Sequence, residues 1–544
     1  MIRTEAPPQG RASRRHMSRA SLITLGSAAT AAIFAAPFGY LVIRNLGAPR
    51  EFWSSITKAD AVGALGRTLL LAVLVSAGAC VVGSAAGWVA VRTDLPGRRL
   101  WRVVLPLPLV IPSFIAATAF IAAFAPGGLV ATALAPAGVR TLPQVRGLVP
   151  AFVLLTLLTY PYVYLPVAAR LAQIPPSLEE AGRTLGHRPA SVARRIVLPE
   201  VRPAILAGTL LAFLYVISDF GAVQLLRYDT LTRSIYARRL FDQPTSLAQS
   251  LQLGILALLV VVLERTITRG PSVGKGRRDV RGLQHRLGAW KAPALACIVL
   301  LVGLALLAPI GVLSFWAVRG LLGGSARPGA IVTGLGQLVV PALNTGGISI
   351  ITAVLTVLAV LPVAYLTVRH RKLIGSLANA IIVAGFALPG LSIALALVFW
   401  TLRSPSPLGA LYQTLPLLLV GYMIHFGAHG LRAAQIAVAS VPDQLEEAAR
   451  VLQAGPWRRF TRLELPLMLP GLGAGAGLVL LSTMKELPAT LLLAPAGFQT
   501  LATKIWTATE DAFLADASVA ALLLVAVSGV LTWLLVVRRA EIPR

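Results

Sequence analysis

The chain is short of cysteine and of charge. Only two cysteines occur among its 544 residues, Cys80 and Cys297, and both lie inside apolar runs. That argues against a disulfide framework and against a cysteine-based metal centre. Charged residues make up 13% of the sequence, whereas soluble domains carry about 25%. This is too little charge to coat the three or four soluble domains that such a length would otherwise imply. Acidic residues are the scarcest: 21 Asp+Glu stand against 49 Lys+Arg, a formal net charge of +28. A cleavable leader is also missing. The first 20 residues are polar and basic, and the apolar stretch after them is long enough to span a bilayer, so it reads as an uncleaved first helix.

What is abundant is apolar sequence, 56% of all residues, with a mean hydropathy of +0.77. A spanning helix needs about 20 mostly apolar residues. Twelve stretches qualify: 21–43, 62–91, 101–124, 149–171, 203–226, 248–266, 293–318, 346–368, 374–402, 412–436, 468–484 and 515–537. They are continuous rather than alternating, which excludes spanning β-strands. The expected fold is an all-α integral membrane protein. Placing the N-terminus in the cytoplasm puts 34 Lys+Arg on the inner side and 15 on the outer, for a net +22 inside and +6 outside. Positive charge collects on cytoplasmic loops, so both termini are expected inside. The same sorting explains the basic character by apposition to anionic lipid, without nucleic acid as a partner.

The sequence repeats itself. Ile174-Pro-Pro-Ser-Leu-Glu-Glu-Ala-Gly-Arg-Thr-Leu-Gly186 closes at Ile196-Val-Leu-Pro199, and Val441-Pro-Asp-Gln-Leu-Glu-Glu-Ala-Ala-Arg-Val-Leu-Gln453 closes at Leu463-Glu-Leu-Pro466. The two copies are offset by 267 positions. Upstream, Thr68 pairs with Thr345, Arg92 with Arg369 and Pro112 with Pro389 at an offset of 277. The ten-residue difference falls in the outer loop 125–147, where length changes are tolerated. The chain is thus divided into a basic N-terminus (1–20), a first half (21–268), a basic linker (269–292) and a second half (293–544). An even number of spans per half makes the repeats parallel, with a path between them.

Each half places a charged loop, 174–199 or 441–466, between its fourth and fifth spans. Pro175 and Pro442 suit helix starts, followed by Glu179, Glu180, Glu446 and Glu447. Ala181, Gly182, Ala448 and Ala449 are small enough for another helix or subunit to come close. Gly186 allows a turn. The unit reads as helix, turn, helix across the cytoplasmic face. Its pattern resembles the EAA loop of ATP-binding-cassette importer permeases. The second copy departs from the family at Gln453, which stands where a glycine is usual, and Gly455 two positions later is expected to supply the turn. The resemblance implies a type I importer permease in a bacterial inner membrane. Each loop would dock on one of two copies of a separate ATP-hydrolysing subunit, with a periplasmic binding protein outside. It also implies no enzymatic activity and no cofactor held by this chain. The run Gly270-Pro-Ser-Val-Gly274-Lys275-Gly276 fails as a phosphate loop in glycine spacing and lacks the Ser or Thr that would reach Mg²⁺.

The substrate has left fainter marks. Asp219 and Glu486 are equivalent at offset 267 and end a span in each half. Carboxylates at membrane depth are costly and often functional, so one reading is a path matched to a cation and the other is local pairing, with Lys485 adjoining Glu486 and Asp219 capping backbone near Gly221. Ser218-Asp219-Phe220-Gly221-Ala222-Val223, Lys485-Glu486-Leu487-Pro488-Ala489-Thr490-Leu491-Leu492, Thr230 through Tyr236 and Gly497 through Ala502 resemble the fused permeases of iron(III) importers. Ferric iron is therefore the expected substrate. Thiamine, polyamine and phosphonate permeases share the scaffold and remain open, as does an ion-coupled secondary transporter. His425 and His429 share one helix face and read as packing residues rather than metal ligands. Gly471, Gly473, Gly475 and Gly477 form two Gly-x-x-x-Gly pairs, which read as close helix packing.

Overall fold

The computed structural model describes residues 12–138, 144–268, 285–322, 335–370, 373–532 and 534. The start of the N-terminus, most of the linker with its Gly270–Gly276 run, and the C-terminal tail lie outside these. The described residues are helical apart from turns and one isolated bridge, Thr93 to His285. Within them, ten helices are long and apolar enough to cross a membrane, or eleven counting one bent pair.

Among the described residues all twelve expected spans fall on helices, and three of them are broken. The fifth breaks at Asp219-Phe220, between Leu198–Ser218 and Gly221–Leu225. The third resolves into Arg98–Val104, a turn through Pro106 and Pro112, and Ser113–Phe124. The ninth is two helices, Leu373–Ala387 and Gly390–Arg403, bent by 107°. Pro389 precedes the second of these in extended backbone, a position where proline disfavours helix before it. The tenth candidate is a continuous helix, Leu415–Ala439. It carries His425, His429, Arg432 and Gln435, and is not among the helices long and apolar enough to cross a membrane by hydropathy.

The compact units do not follow the sequence repeat. One comprises Met1–Ile43, Leu343–Phe498 and Val530–Arg544; the other comprises Arg44–Ala342 and Gln499–Gly529. The first half has therefore given its first span to the second half's unit, and the second half has given its first span and most of its last to the first half's unit. In the first unit, Phe34 of the N-terminal helix is buried in the core of the second half. Its ring occupies the place where a Cβ on Gly427 would stand. Thr30 Oγ1 donates to the Ala359 carbonyl at 2.8 Å. Gly471 and Gly475 meet Ala437 and Ala433 of Leu415–Ala439, as small residues spaced by four allow.

In the second unit, Ala59–Arg92, Leu148–Gln173 and Leu198–Ser218 pack side by side. A Cβ at Gly83 would lie 2.6 Å from the Tyr160 carbonyl, and one at Gly208 would lie 2.7 Å from that of Tyr162. Ile298 and Val302, from the first span of the second half, join this core. Trp316 Nε1 donates to the Ala122 carbonyl at 2.9 Å. Lipid tails are as apolar as the helix surfaces, so hydrophobicity does not assign a span to its own half; shape and small residues decide.

Candidate functional site: the two repeated loops

Both loops open as their sequences require. Pro175 and Pro442 sit at the N-caps in extended backbone, and the helices Pro176–Thr184 and Asp443–Val451 follow. Acidic residues fill the first turns, where the helix dipole favours them. Both helices end in the same way. Gly186 N donates to the Arg183 carbonyl (2.9 Å) and His187 N to that of Gly182 (3.2 Å). Gln453 N donates to Arg450 (2.9 Å) and Ala454 N to Ala449 (3.0 Å). These pairs form a Schellman cap, which needs a residue of positive φ at its centre. Gly186 supplies it at +80°, and Gln453 supplies it at +53°. Gly455 does not make the turn, contrary to expectation: its φ is −57°, and it is the N-cap of the next helix. The hydrogen-bond register fixes which residue must be left-handed, and that position is 453.

The segment after each turn is not a separate helix. Pro189–Val192 and Pro456–Arg459 run through a π-helical turn, Ala193–Val197 or Phe460–Glu464, directly into the next span. Pro199 and Pro466 lie at the second residue of the helices Leu198–Ser218 and Leu465–Met484. The π turns coincide at offset 267, and such turns recur at functional sites.

The loop helices are amphipathic. In the first, Glu179 and Gly182 are buried while Glu180 and Ala181 are exposed. A Cβ at Gly182 would lie 2.8 Å from Ile196 Cδ1, so this small residue seats the following helix rather than a foreign one. In the second, Glu447 and Ala448 are exposed, and Glu446 and Ala449 are half-buried. Large apolar side chains remain uncovered beside them: Leu185 is 78% exposed, Val451 82%, Leu452 81% and Trp457 75%. An exposed apolar cluster of this kind, rimmed by charge, marks an interaction surface.

The two loops are anchored differently. Glu179 is 1% exposed and lies 2.8 Å from the guanidinium of Arg92, itself fully buried at the end of Ala59–Arg92. The equivalent Arg369 does not reach Glu446. It pairs with Asp443 and donates to the carbonyls of Val438 (3.2 Å) and Val441 (2.6 Å). Glu446 lies instead near Arg450 (2.9 Å) and Arg459 (4.0 Å) of its own loop. Arg459 also lies 3.7 Å from Glu464, which accepts from the Tyr365 hydroxyl at 2.6 Å. The sequence pairing of Arg92 with Arg369 carried the signal for these anchors, but not their partners.

Asp219 and Glu486 each cap the short helix that follows. Asp219 Oδ2 accepts from Ala222 N (3.1 Å) and Val223 N (3.3 Å), at the start of Gly221–Leu225. Glu486 Oε1 accepts from Ala489 N (3.1 Å), at the start of Pro488–Leu493. A threonine hydroxyl, Thr232 or Thr490, donates to the backbone carbonyl of each at 2.7 Å. The second Glu486 oxygen lies 3.8 Å from His425 Nε2. His425 and His429 both pack on the Phe386 ring.

Comparison with known proteins agrees with this architecture. The family of binding-protein-dependent transport system inner membrane components matches the chain twice, over residues 79–269 and 361–539. The chain belongs to this family. Its two matched stretches make it a permease of two fused halves, an ATP-binding-cassette importer component rather than an enzyme, and a multi-pass membrane protein. The Fe(3+)-transport system permease protein FbpB 2 of Haemophilus influenzae is 28% identical over 510 residues, covering 92% of this chain and 94% of that protein. The sulfate transport system permease protein CysT of Salmonella typhimurium is 31% identical over 173 residues, covering 32% of this chain and 61% of its own. A putative 2-aminoethylphosphonate transport system permease protein, PhnU of Salmonella choleraesuis, is 30% identical over 224 residues, covering 38% of this chain and 77% of its own.

Proposed function

We propose that this permease carries ferric iron, delivered by a periplasmic binding protein, across the bacterial inner membrane with both termini in the cytoplasm. Two copies of a separate ATP-hydrolysing subunit drive it, one docked on each loop. The observation that carries the docking assignment is the pair of loop helices with identical caps and exposed Glu180-Ala181 and Glu447-Ala448 faces beside uncovered Leu185, Val451, Leu452 and Trp457. Closure of the ATP-bound partners would push these helices, and each helix continues through one turn and a π-helical segment into a span. The substrate assignment is favoured by the iron permease likeness, which runs through both halves, whereas the sulfate and phosphonate likenesses cover about a third of the chain. Asp219 and Glu486 are proposed to border the path, each fixed in place by the helix it caps.

The test has two arms. In reconstituted complexes, Glu180→Lys and Glu447→Lys should weaken capture of the ATPase subunit while membrane insertion is retained. Normal assembly and transport in both variants would overturn the docking assignment. In cells at low external iron, deletion should abolish uptake of radiolabelled Fe(III), with no competition by excess sulfate, 2-aminoethylphosphonate or thiamine. Unchanged iron uptake would move the substrate elsewhere and leave the importer architecture standing.

A further inference from the structure

The end of the linker between the halves does not pass the first loop freely. His285 N donates to the Arg92 carbonyl at 2.8 Å, and Asp94 N donates to the His285 carbonyl at 3.3 Å. Leu287 N donates to Asp94 Oδ1 at 2.9 Å, and Lys291 Nζ lies 2.9 Å from Asp94 Oδ2. This docking aims the His285 ring inward. The imidazole stacks on Trp88 at 5.6 Å and 16°, and its Nε2 lies 3.5 Å from Glu179 Oε2. The guanidinium of Arg92 faces the other oxygen, Oε1. The buried carboxylate of the first loop helix is thus held between a cation from a span and a ring from the linker.

We propose that this end of the linker is a positioning element of the first coupling loop, with His285 as its positioning residue. A buried carboxylate needs partners for both oxygens. Arg92 lies beside one and His285 beside the other, as ionic contacts outside hydrogen-bond geometry; without His285 the second oxygen loses its nearest polar neighbour, and the helix Pro176–Thr184 can rotate about the remaining contact. Among the described residues the second loop has no such partner: Glu446 is answered by arginines of its own loop. The linker therefore does more than join the halves. It ties the first loop, through Asp94 and Lys291, to the helix Lys291–Val302 that opens the second half, so that a push on this loop is transmitted there. The proposal rests on the reading of the loop as the ATPase-coupling element.

The experiment uses the full importer in proteoliposomes, with wild type, His285→Ala, His285→Gln and Asp94→Asn. Glutamine keeps a donor at similar reach, and Asp94→Asn loosens the linker without touching the Glu179 pocket. Hydrogen exchange is measured over 176–187 and 443–454, together with ATP hydrolysed per solute moved. His285→Ala should raise exchange in 176–187 several-fold, through the loss of the contact beside Glu179 Oε2. It should leave 443–454 unchanged and raise the ATP cost per solute several-fold, and His285→Gln should restore both. Unchanged exchange in 176–187, an equal rise in both loops, or no restoration by glutamine would overturn the proposal. If His285→Ala does not assemble, Asp94→Asn decides: selective loosening of 176–187 supports the clamp, and none refutes it. If Glu180→Lys still binds the ATPase normally, the coupling reading falls, and the exchange data still report the clamp separately.

Discussion

The unequal anchoring of the two loops yields a quantitative contrast. Glu179 and Arg92 are 1% and 0% exposed in their side chains. Removing one partner of such a pair leaves a buried, uncompensated charge and costs about 3–5 kcal/mol. Glu446 and Arg450 are 21% and 60% exposed, and an i,i+4 pair open to water contributes about 0.3–0.5 kcal/mol. Glu179→Ala should therefore destabilise the permease several times more than Glu446→Ala, although the two residues occupy the same place in the repeat. The assay is the half-life of the nanodisc-embedded permease at a fixed elevated temperature, since membrane proteins rarely unfold reversibly and survival is then a rate. If even about 1.4 kcal/mol of the first loss appears in the unfolding barrier, the half-life falls about tenfold, while Glu446→Ala stays within about twofold. The double variant Arg92→Met with Glu179→Leu removes both charges and should recover most of the loss, because replacing a buried ion pair by apolar residues is often neutral. Equal half-lives for the two alanine variants, or no recovery in the double variant, would refute the reasoning.

Three further outcomes are expected. Gln453→Gly relieves a left-handed non-glycine residue, a strain of about 1–2 kcal/mol. It should slow exchange of the amides at 452–454, whereas Gly455→Ala should leave them unchanged; the reverse pattern would return the turn to Gly455. The hydrogen bond from Leu287 N–H, and then the ammonium of Lys291, hold the Asp94 carboxyl below the usual range. A depressed carboxylate stabilises above its unfolded value of about 3.9 and loses that contribution as pH falls through the folded one. Docking of 285–291, followed by exchange corrected for intrinsic rates, should be constant from pH 8 to 5 and loosen below about 4, and Asp94→Asn should abolish that acid step. Asp219→Asn with Glu486→Gln keeps each cap acceptor and removes the charge; uptake of the cation should fall if the carboxylates border the path, and unchanged uptake would assign them to capping alone.

How much of this was legible in the sequence follows from what sequence encodes. Apolar length is local, so each of the ten or eleven candidate spans among the described residues meets one of the twelve stretches, and the two loops stand out because their motif recurs in register. The break at Pro389 was missed because Leu388-Pro389 interrupts no apolar run. The turn at Gln453 was missed because composition names glycine as the left-handed residue, whereas the backbone hydrogen bonds choose the position. The exchange of first spans was not legible at all: Phe34 looks like any apolar residue, and only the absent side chain at Gly427 tells where its ring belongs. His285 was not legible as a partner of Glu179, because nothing near it in sequence points there.

The repeat itself sharpens what the fusion can do. Two identical subunits must carry identical loops, so any device on one is copied on the other. A single chain removes that constraint. Here the two loops keep in common the cap geometry, the π-helical turn and the exposed Glu-Ala face, the features to which the proposed function assigns docking. It diverges behind that face, where Arg92 meets Glu179 but Arg369 meets Asp443, and where only the first loop receives His285. On the proposed function, the docking surfaces are held alike, and the anchors behind them are not. The second loop, lacking the linker, is then the one expected to move first when the partners close. Cysteine-reactive spin labels at Leu185→Cys and Leu452→Cys would show it: a larger nucleotide-dependent change at 452 than at 185 is the expected result, and equal changes would mean that the two anchors, however different, yield alike.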